Sequence, residues 1–376
     1  QELLRKTLSE FAMHELAPAY ASRDTDDDLP RELIRKLGRL GVLAPMAETR
    51  HGGSGLDYLS LGIAHEEIAR GDFNAAYVLL LSALAGAIVV NSGEDKQRDA
   101  ILPPICRGDV LPALAVTEPQ GGSDAAHIRM QARRDGDHYV LNGEKTSISF
   151  ASSADTALVM ARTGTLEQGA RGCSAFYVDL NSAGVSRSRF KDLGSRAVGR
   201  GQLFFDSVRV PLENRIGAEG AGFAQVMEGF DFSRALIGLM CIGAAEQSVE
   251  ETCRWVAERE AFGGSLARFE GVSFPLAEAA VELRAARLAC YEALWLRDQK
   301  RPHGWLAAGV KWLAPELSAK VLHQCVLLHG HTGYSLDLPH QQRMRDVIGL
   351  EIGDGTAQVM KLIVARELIG KVARPY

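Results

Sequence analysis

A chain of 376 residues, 46% apolar and 24% charged, has the composition of an ordinary globular protein with room for two or three domains and ample buried core. Its formal charge of −5 is mild and argues against nucleic acid or an anionic membrane as the main partner, since both demand a clustered cationic surface. Six scattered cysteines with no CxxC pair suit a reducing compartment, the cytoplasm, better than a disulfide framework.

From residue 1 to 110 the pattern is helical. Leu3, Leu4, Leu8 and Phe11 recur at spacings of three and four, as do Leu33, Ile34, Leu37 and Leu40, and later Leu61, Ile63 and Ile68. His51 to Gly55 reads as a loop. Val78 to Val90 is the longest apolar run; at less than the about 20 residues that span a bilayer, it predicts a buried helix. Cys106, Cys241 and Cys290 lie in apolar surroundings and read as core fillers. No secretory leader is legible, and the sequence starts at Gln1 rather than Met, which leaves room for an upstream segment.

From 111 to 218 the character changes to short alternating or β-branched runs. These are Leu114–Thr117, His127–Ala132, Tyr139–Leu141, Ala157–Ala161, Ala175–Leu180 and Leu203–Val210. Asp135-Gly136 and Asn142-Gly143 are turn signals, the second a strong one for a hairpin. The segment predicts a mostly antiparallel sheet without β-α-β alternation. Arg187, Arg189, Lys191, Arg196 and Arg200 form a loose basic stretch, read as a solvated loop. From 219 to 376 helical spacing returns through Phe230, Ala235, Leu236 and Leu239 and on to Leu368. The fold class is therefore mainly α with a β domain between two helical ones.

Several nucleotide and metal signals are missing. No GxGxxG follows a strand, so a Rossmann site is not expected. Gly217, Gly220 and Gly222 mark a loop before a helix, and Gly143-Glu-Lys145-Thr146 lacks the glycine arch of a phosphate loop. His323, His329 and His331 have no carboxylate or fourth ligand at a recognised spacing, so no metal is expected.

The segment Leu114-Ala-Val-Thr-Glu-Pro-Gln-Gly-Gly-Ser-Asp124 is the most informative. Pro119 stops a strand, two glycines let backbone approach a ligand, and Ser123 with exposed N–H groups can bond phosphate or ring heteroatoms. Locally, a plain turn explains it as well. The string, however, resembles the T-E-P-x-x-G-S-D signature of acyl-CoA dehydrogenases. Four further motifs follow in that family's order. They are Leu141-Asn-Gly-Glu-Lys-Thr-Ser-Ile-Ser149, Asp231-Phe-Ser-Arg234, Arg259-Glu-Ala-Phe-Gly-Gly-Ser-Leu-Ala-Arg-Phe-Glu270, and Gly330-His-Thr-Gly-Tyr334 through Arg345-Asp346 to Gly353-Asp-Gly-Thr-Ala-Gln358.

The resemblance spans essentially the whole chain. It implies the acyl-CoA dehydrogenase fold: an N-terminal α-helical domain, a middle β-sheet or barrel domain, and a C-terminal four-helix bundle. It also implies FAD as cofactor, an acyl-CoA substrate, an electron-transferring flavoprotein or similar acceptor, and a homotetramer built as a dimer of dimers. Under it, Leu114, Val116, Thr117, Gly122 and Ser123 line the flavin, and Ser123 also meets substrate. Ser147, Ile148 and Ser149 touch the other flavin face. Arg259 pairs with the FAD pyrophosphate across a subunit interface, a task suited to a rigid guanidinium fork; a charge at a helix C-terminus explains a lone Arg equally well. Phe262, Phe269 and Glu270 contact the adenosine part, and Leu327, His329, Gly330, His331, Thr356 and Gln358 complete that pocket. Asp231 and Arg234, one turn apart on one helix face, help hold the thioester with Gly353 and Gly355; a surface ion pair is the plain alternative.

The implied reaction is α,β-dehydrogenation of an acyl thioester, in which a carboxylate removes the α-proton. A backbone N–H beside that base and a flavin ribityl hydroxyl then stabilise the enolate-like oxygen. Asp354 stands where the family usually has Glu. An N-cap role for Asp354 before a helix from about Thr356 to Gly370 is the competing reading. Ser233 occupies the other position where relatives carry a base, and a hydroxyl cannot take a carbon-bound proton. Asp is one methylene shorter than Glu, and Gly353 replaces the usual Tyr, so volume opens near the α-carbon. That pattern resembles cyclohexanecarboxyl-CoA dehydrogenases and implies a branched or alicyclic acyl group. Ser147 replaces a Trp and Leu327 a Gln, which leaves the electron acceptor less defined. Nitroalkane oxidases and flavin monooxygenases share this architecture, the former with Asp at the same place. They are the alternative enzyme reading, and a redox-dead scaffold would require lost flavin ligands or base.

Overall fold

The computed structural model describes residues 1–370, 372 and 373. Helix α1 (Glu2–Phe11) runs through a π-turn (Ala12–Leu16) into α2 (Ala17–Tyr20), followed by α3 (Arg31–Arg39), α4 (Tyr58–Gly71), α5 (Phe73–Ser92) and α6 (Asp95–Arg107). Asp72 starts α5 by accepting the N–H groups of Asn74 and Ala75 at 2.8 and 3.2 Å, which satisfies two of the helix's orphan donors. The apolar run lies in α5. At 20 residues the helix is long and apolar enough to cross a membrane, so length does not decide the matter as the run of Val78 to Val90 suggested. Burial does: every residue from Phe73 to Val89 is enclosed by protein.

The middle region carries β1 (Pro112–Ala115), β2 (Gln131–Asp135), β3 (His138–Ile148), β4 (Thr156–Arg162), β5 (Cys173–Asp179), β6 (Val185–Arg189), β7 (Gly201–Pro211) and β8 (Arg215–Ile216). They run in the order β6-β7-β3-β2-β4-β5-β8, with β1 parallel to β4. Pairing is mainly antiparallel. Asp135 faces His138 across a tight turn at Gly136-Asp137, as the Asp135-Gly136 signal predicts. Asn142-Gly143 is not a hairpin. It sits inside β3 at a register shift opposite β7, and Gly143 takes φ +140 where a Cβ would press to 2.9 Å from Met130. A bulge uses the same residues as a turn, because both need one residue off the pleat.

The basic stretch is not a solvated loop either. Arg187 lies on β6 and donates to the carbonyls of Ala154 and Leu180, both at 2.9 Å. Arg189 pairs with Asp28 at 2.7 Å, Arg196 with Asp26 at 3.1 Å and Arg200 with Asp192 at 2.5 Å. Asp28 and Asp26, distant in sequence, absorb two of these charges and tie the middle region to the N-terminal one.

The last region holds α7 (Gly222–Glu258), a small hairpin of β9 (Glu260–Ala261) and β10 (Gly264–Ser265), then α8 (Glu270–Asp298), α9 (Gly304–Leu328), α10 (His340–Ile352) and α11 (Ala357–Ile369). One buried carboxylate joins all three regions. Asp346 on α10 accepts from the Tyr20 hydroxyl at 2.7 Å, the Ser195 N–H at 2.5 Å and the Asn74 side chain at 3.3 Å. Burial pushes its pKa up to about 7. The cysteines at 106, 241 and 290 are free and buried.

Candidate active site

The loop between α10 and α11 carries the expected base. Gly353 is extended (φ −63, ψ 154), Asp354 turns left-handed at φ +54 and Gly355 follows at φ +99. The left-handed backbone demands glycine at 355, while a Cβ there would meet the movable end of the Met360 side chain at 2.5 Å. Thr356, not Asp354, caps α11, its hydroxyl accepting the Val359 N–H at 3.4 Å. Among the described residues the Asp354 carboxylate makes no hydrogen bond, and a cap role does not occupy it. Eight non-glycine residues have positive φ. Three of them, Ser147, Phe262 and Asp354, are positions implicated by the motifs, in keeping with the tendency of backbone strain to collect at functional sites.

Two cations and a phenol surround this carboxylate. Lys311, in the middle of α9, donates its Nζ to the carbonyls of Leu350 and Gly355 at 2.7 and 2.6 Å. Arg234 on α7 pairs with Asp231 at 2.9 Å. The pair lies on one face as expected, but Arg234 is 7% exposed and its Nε is buried without a partner among the described residues. A surface ion pair does not describe it. Burial raises the pKa of Asp354, while first Lys311 and then Arg234 draw it back down. Burial and then the Asp354 charge raise the Tyr77 phenol on α5. Lys311 and Tyr77 escaped sequence reasoning. The available signal was a lone Lys in the apolar stretch from Trp305 to Pro315.

The flavin-side residues assemble around β1 and β3. The Thr146 N–H donates to the Thr117 carbonyl at 2.9 Å, which joins the two motifs. Beneath them Lys145 is fully buried and donates to the Glu118 carboxylate at 2.7 Å and the Val116 carbonyl at 2.9 Å. Glu118 also accepts the N–H groups of Arg129 and Met130 at 2.7 and 3.0 Å. These two motif residues are thus braces for the loop. Gly122, Ser123 and Ser147 are exposed, Leu114, Thr117 and Ser149 half-buried, and Val116 buried. Ile148 points its side chain into the core and is buried as a whole. A cleft of about 530 Å³ opens beside the loop, with Gln120, Asp124, His127 and Glu167 in its lining. Asp354 and Arg234 are not part of it.

A third group stands at one end of the helical bundle. Arg259 follows the last residue of α7, its guanidinium 5.8 Å from the Trp255 ring centroid, with no carboxylate partner among the described residues. Phe262 is 93% exposed and meets Phe269 edge-on at 6.1 Å. Leu327, Gly330, His331 and Glu270 are also exposed; Gln358 is exposed too, but with Thr356 it sits beside the Lys311 part of α9, away from this group. His329 departs from the expectation. It is buried, donates from Nδ1 to the Cys325 carbonyl at 2.9 Å, and stacks between Trp255 and His340 at 5.2 and 4.3 Å. Helical phase turns its side chain inward, into the core. His323 and His331 are exposed, so the three histidines do not converge. An uncompensated guanidinium flanked by bare aromatic and aliphatic side chains fits a diphosphate with a ring system, the two halves of FAD that the motifs imply.

Three family models match the chain: "Acyl-CoA dehydrogenase, N-terminal domain" over residues 1–109, "middle domain" over 113–208 and "C-terminal domain" over 220–369. A short-chain specific acyl-CoA dehydrogenase of Clostridium acetobutylicum is 34% identical over 376 residues, covering 100% of this chain and 98% of its own. The caffeyl-CoA reductase-Etf complex subunit CarC of Acetobacterium woodii is 33% identical over 373 residues, covering 98% of each chain. Butyryl-CoA dehydrogenase from Megasphaera elsdenii superposes with a TM-score of 0.94 at 30% identity, over 98% of this chain and 97% of that one. The chain belongs to the acyl-CoA dehydrogenase family and is an FAD-dependent oxidoreductase acting on CH–CH groups.

Proposed function

We propose that the chain oxidises a branched or alicyclic acyl-CoA thioester, such as cyclohexanecarboxyl-CoA, with Asp354 removing the α-proton. The carrying observation is an aspartate with no capping duty, held left-handed beside Lys311 and Arg234. FAD, when bound, takes the β-hydrogen as hydride. The rest of the chemistry belongs to this chain. Enclosure raises the Asp354 pKa and so its proton affinity, and the charges of Lys311 and then Arg234 oppose that rise. The Gly355 N–H bonds nothing among the described residues, which leaves it free to donate to the developing thioester oxygen. Arg234 and Asp231 border the same space and favour a thioester over a nitroalkane.

Gly353 supports the bulky substrate. Its backbone is not left-handed, and a Cβ would meet only Gly349 O at 3.3 Å and Leu350 Cδ2 at 3.8 Å. Backbone geometry does not demand glycine there, so its value is the space it leaves. Anaerobic flavin bleaching with a thioester panel is expected to run fastest with cyclohexanecarboxyl-CoA. Gly353→Tyr should slow that substrate at least about tenfold relative to butyryl-CoA, the scale of a misfit in an apolar pocket. Preference for butyryl- or octanoyl-CoA in the parent protein refutes the acyl assignment. Oxygen uptake with nitroethane and none with any thioester refutes the thioester reading.

The exposed Phe274, Val281, Leu288 and Trp295 lie at seven-residue intervals along α8, a stripe suited to a second copy. Arg259 and Phe262 then gain an opposing surface, consistent with a homotetramer whose subunits share FAD sites. Sedimentation velocity is expected to give a tetramer, and a monomer at micromolar concentration contradicts it. An electron-transferring flavoprotein is the proposed acceptor, in line with the Etf complex named for the Acetobacterium woodii relative. Six free thiols suit the cytoplasm.

A further inference from the structure

We infer that Lys311 is the positioning residue of the base loop, an internal clamp that ends α10 and swings Asp354 out of the helix. The last regular backbone bond of α10 runs from the Gly353 N–H to Gly349 O at 2.9 Å. The next carbonyl, Leu350, would receive the Asp354 N–H if the helix continued. Lys311 takes that carbonyl instead at 2.7 Å and reaches the Gly355 carbonyl at 2.6 Å. One ammonium therefore bridges the carbonyls on either side of the base, and the chain between them adopts the left-handed turn at Asp354.

Burial makes this a demanding arrangement. Lys311 is 1% exposed, and an ammonium removed from water needs its donors satisfied. The C-terminal carbonyls of a helix are a favourable place for it, since they carry partial negative charge. Burial pushes the Lys311 pKa down to about 8, and Asp354, Cys241 and Glu351 oppose that while Arg234 reinforces it. From the other packed elements, Arg234 on α7 and Tyr77 on α5 also face Asp354. Lys311 thus does two things: it shapes the loop, and it supplies the larger of the two positive fields on the carboxylate.

The catalytic half of this inference rests on Asp354 being the base, and the clamp itself does not. Two variants of the FAD-loaded enzyme separate charge from geometry. Lys311→Met removes both, whereas Lys311→Arg keeps the charge but replaces a compact ammonium with a planar fork. Hydrogen exchange of the amides from 350 to 356 is expected to quicken in both variants, while exchange elsewhere in α9 stays near the parent's. Flavin bleaching should slow about 100-fold in Lys311→Met, the scale of a small misplacement of a reacting group. Its acid limb should move up by roughly one pH unit, the effect of losing a close opposite charge, and stay in place in Lys311→Arg. Unchanged exchange across 350–356 in Lys311→Arg overturns the clamp, even if the methionine variant fails to fold. An unmoved acid limb in a folded, flavin-loaded Lys311→Met overturns the electrostatic part. An undiminished rate in Asp354→Asn would instead strike the base reading and leave the exchange result standing.

Discussion

Asp354→Asn is expected to slow flavin bleaching by an acyl-CoA by roughly 10²- to 10⁴-fold, the range general-base catalysis supplies. The substitution is nearly isosteric, and Thr356 rather than Asp354 caps the following helix, so fold and flavin content should survive. What is lost is the acceptor for the α-proton. The pH profile carries the sharper signature. Burial raises the folded pKa of Asp354 above the ordinary 3.8, and the base works only when deprotonated. The parent rate should therefore fall as pH drops through that raised value, whereas the residual rate of the variant should stay flat across it. Stopped-flow absorbance over a pH series checks both, and a variant that keeps the parent's rate or its acid limb excludes Asp354 as base.

The second large effect concerns the brace under the flavin loop. Glu118→Gln removes the counter-charge of a fully buried Lys145, and breaking one side of a buried pair costs roughly 3–5 kcal/mol. Burial already holds the Lys145 pKa down to about 8, with Glu118 the main opposing influence. A lysine whose folded pKa lies below its unfolded value sheds its proton first in the folded state. The unfolded chain then binds more protons, so stability rises with pH through that window. Without Glu118 the folded Lys145 pKa falls further below about 8, so the defect in Glu118→Gln should be greatest at mildly acidic pH, shrink as pH rises toward about 8 and level off above it. Adding Lys145→Met should restore much of the loss, because the resulting Gln–Met pair buries no charge. Urea midpoints and flavin content measure the outcome. A single variant as stable as the parent at neutral pH contradicts this account.

The failures of sequence reasoning share a cause. Asn142-Gly143 and Asp135-Gly136 carry the same local preference, and only the partner strands decide that one is a bulge and the other a turn. Arg187, Arg189 and Arg196 look solvated because acceptors of theirs lie far away in sequence, on Asp28, Asp26 and the Ala154 carbonyl. His329 was grouped with its neighbours by motif, although its helical phase sends it into the core against Trp255 and His340.

By itself, the sequence determined the order of helical, sheet and helical regions, since hydrophobic periodicity is a local property that survives without knowledge of contacts. It also placed Asp354 and the glycines around it within a recognisable motif. Tertiary structure alone decided that Thr356 does the capping, that Arg234 is buried, and that Lys311, 43 residues before Asp354 in the chain (354 − 311), reaches the carbonyls beside it. Those facts depend on which helices face one another, and the charge environment of a carboxylate is set by neighbours in space rather than in sequence.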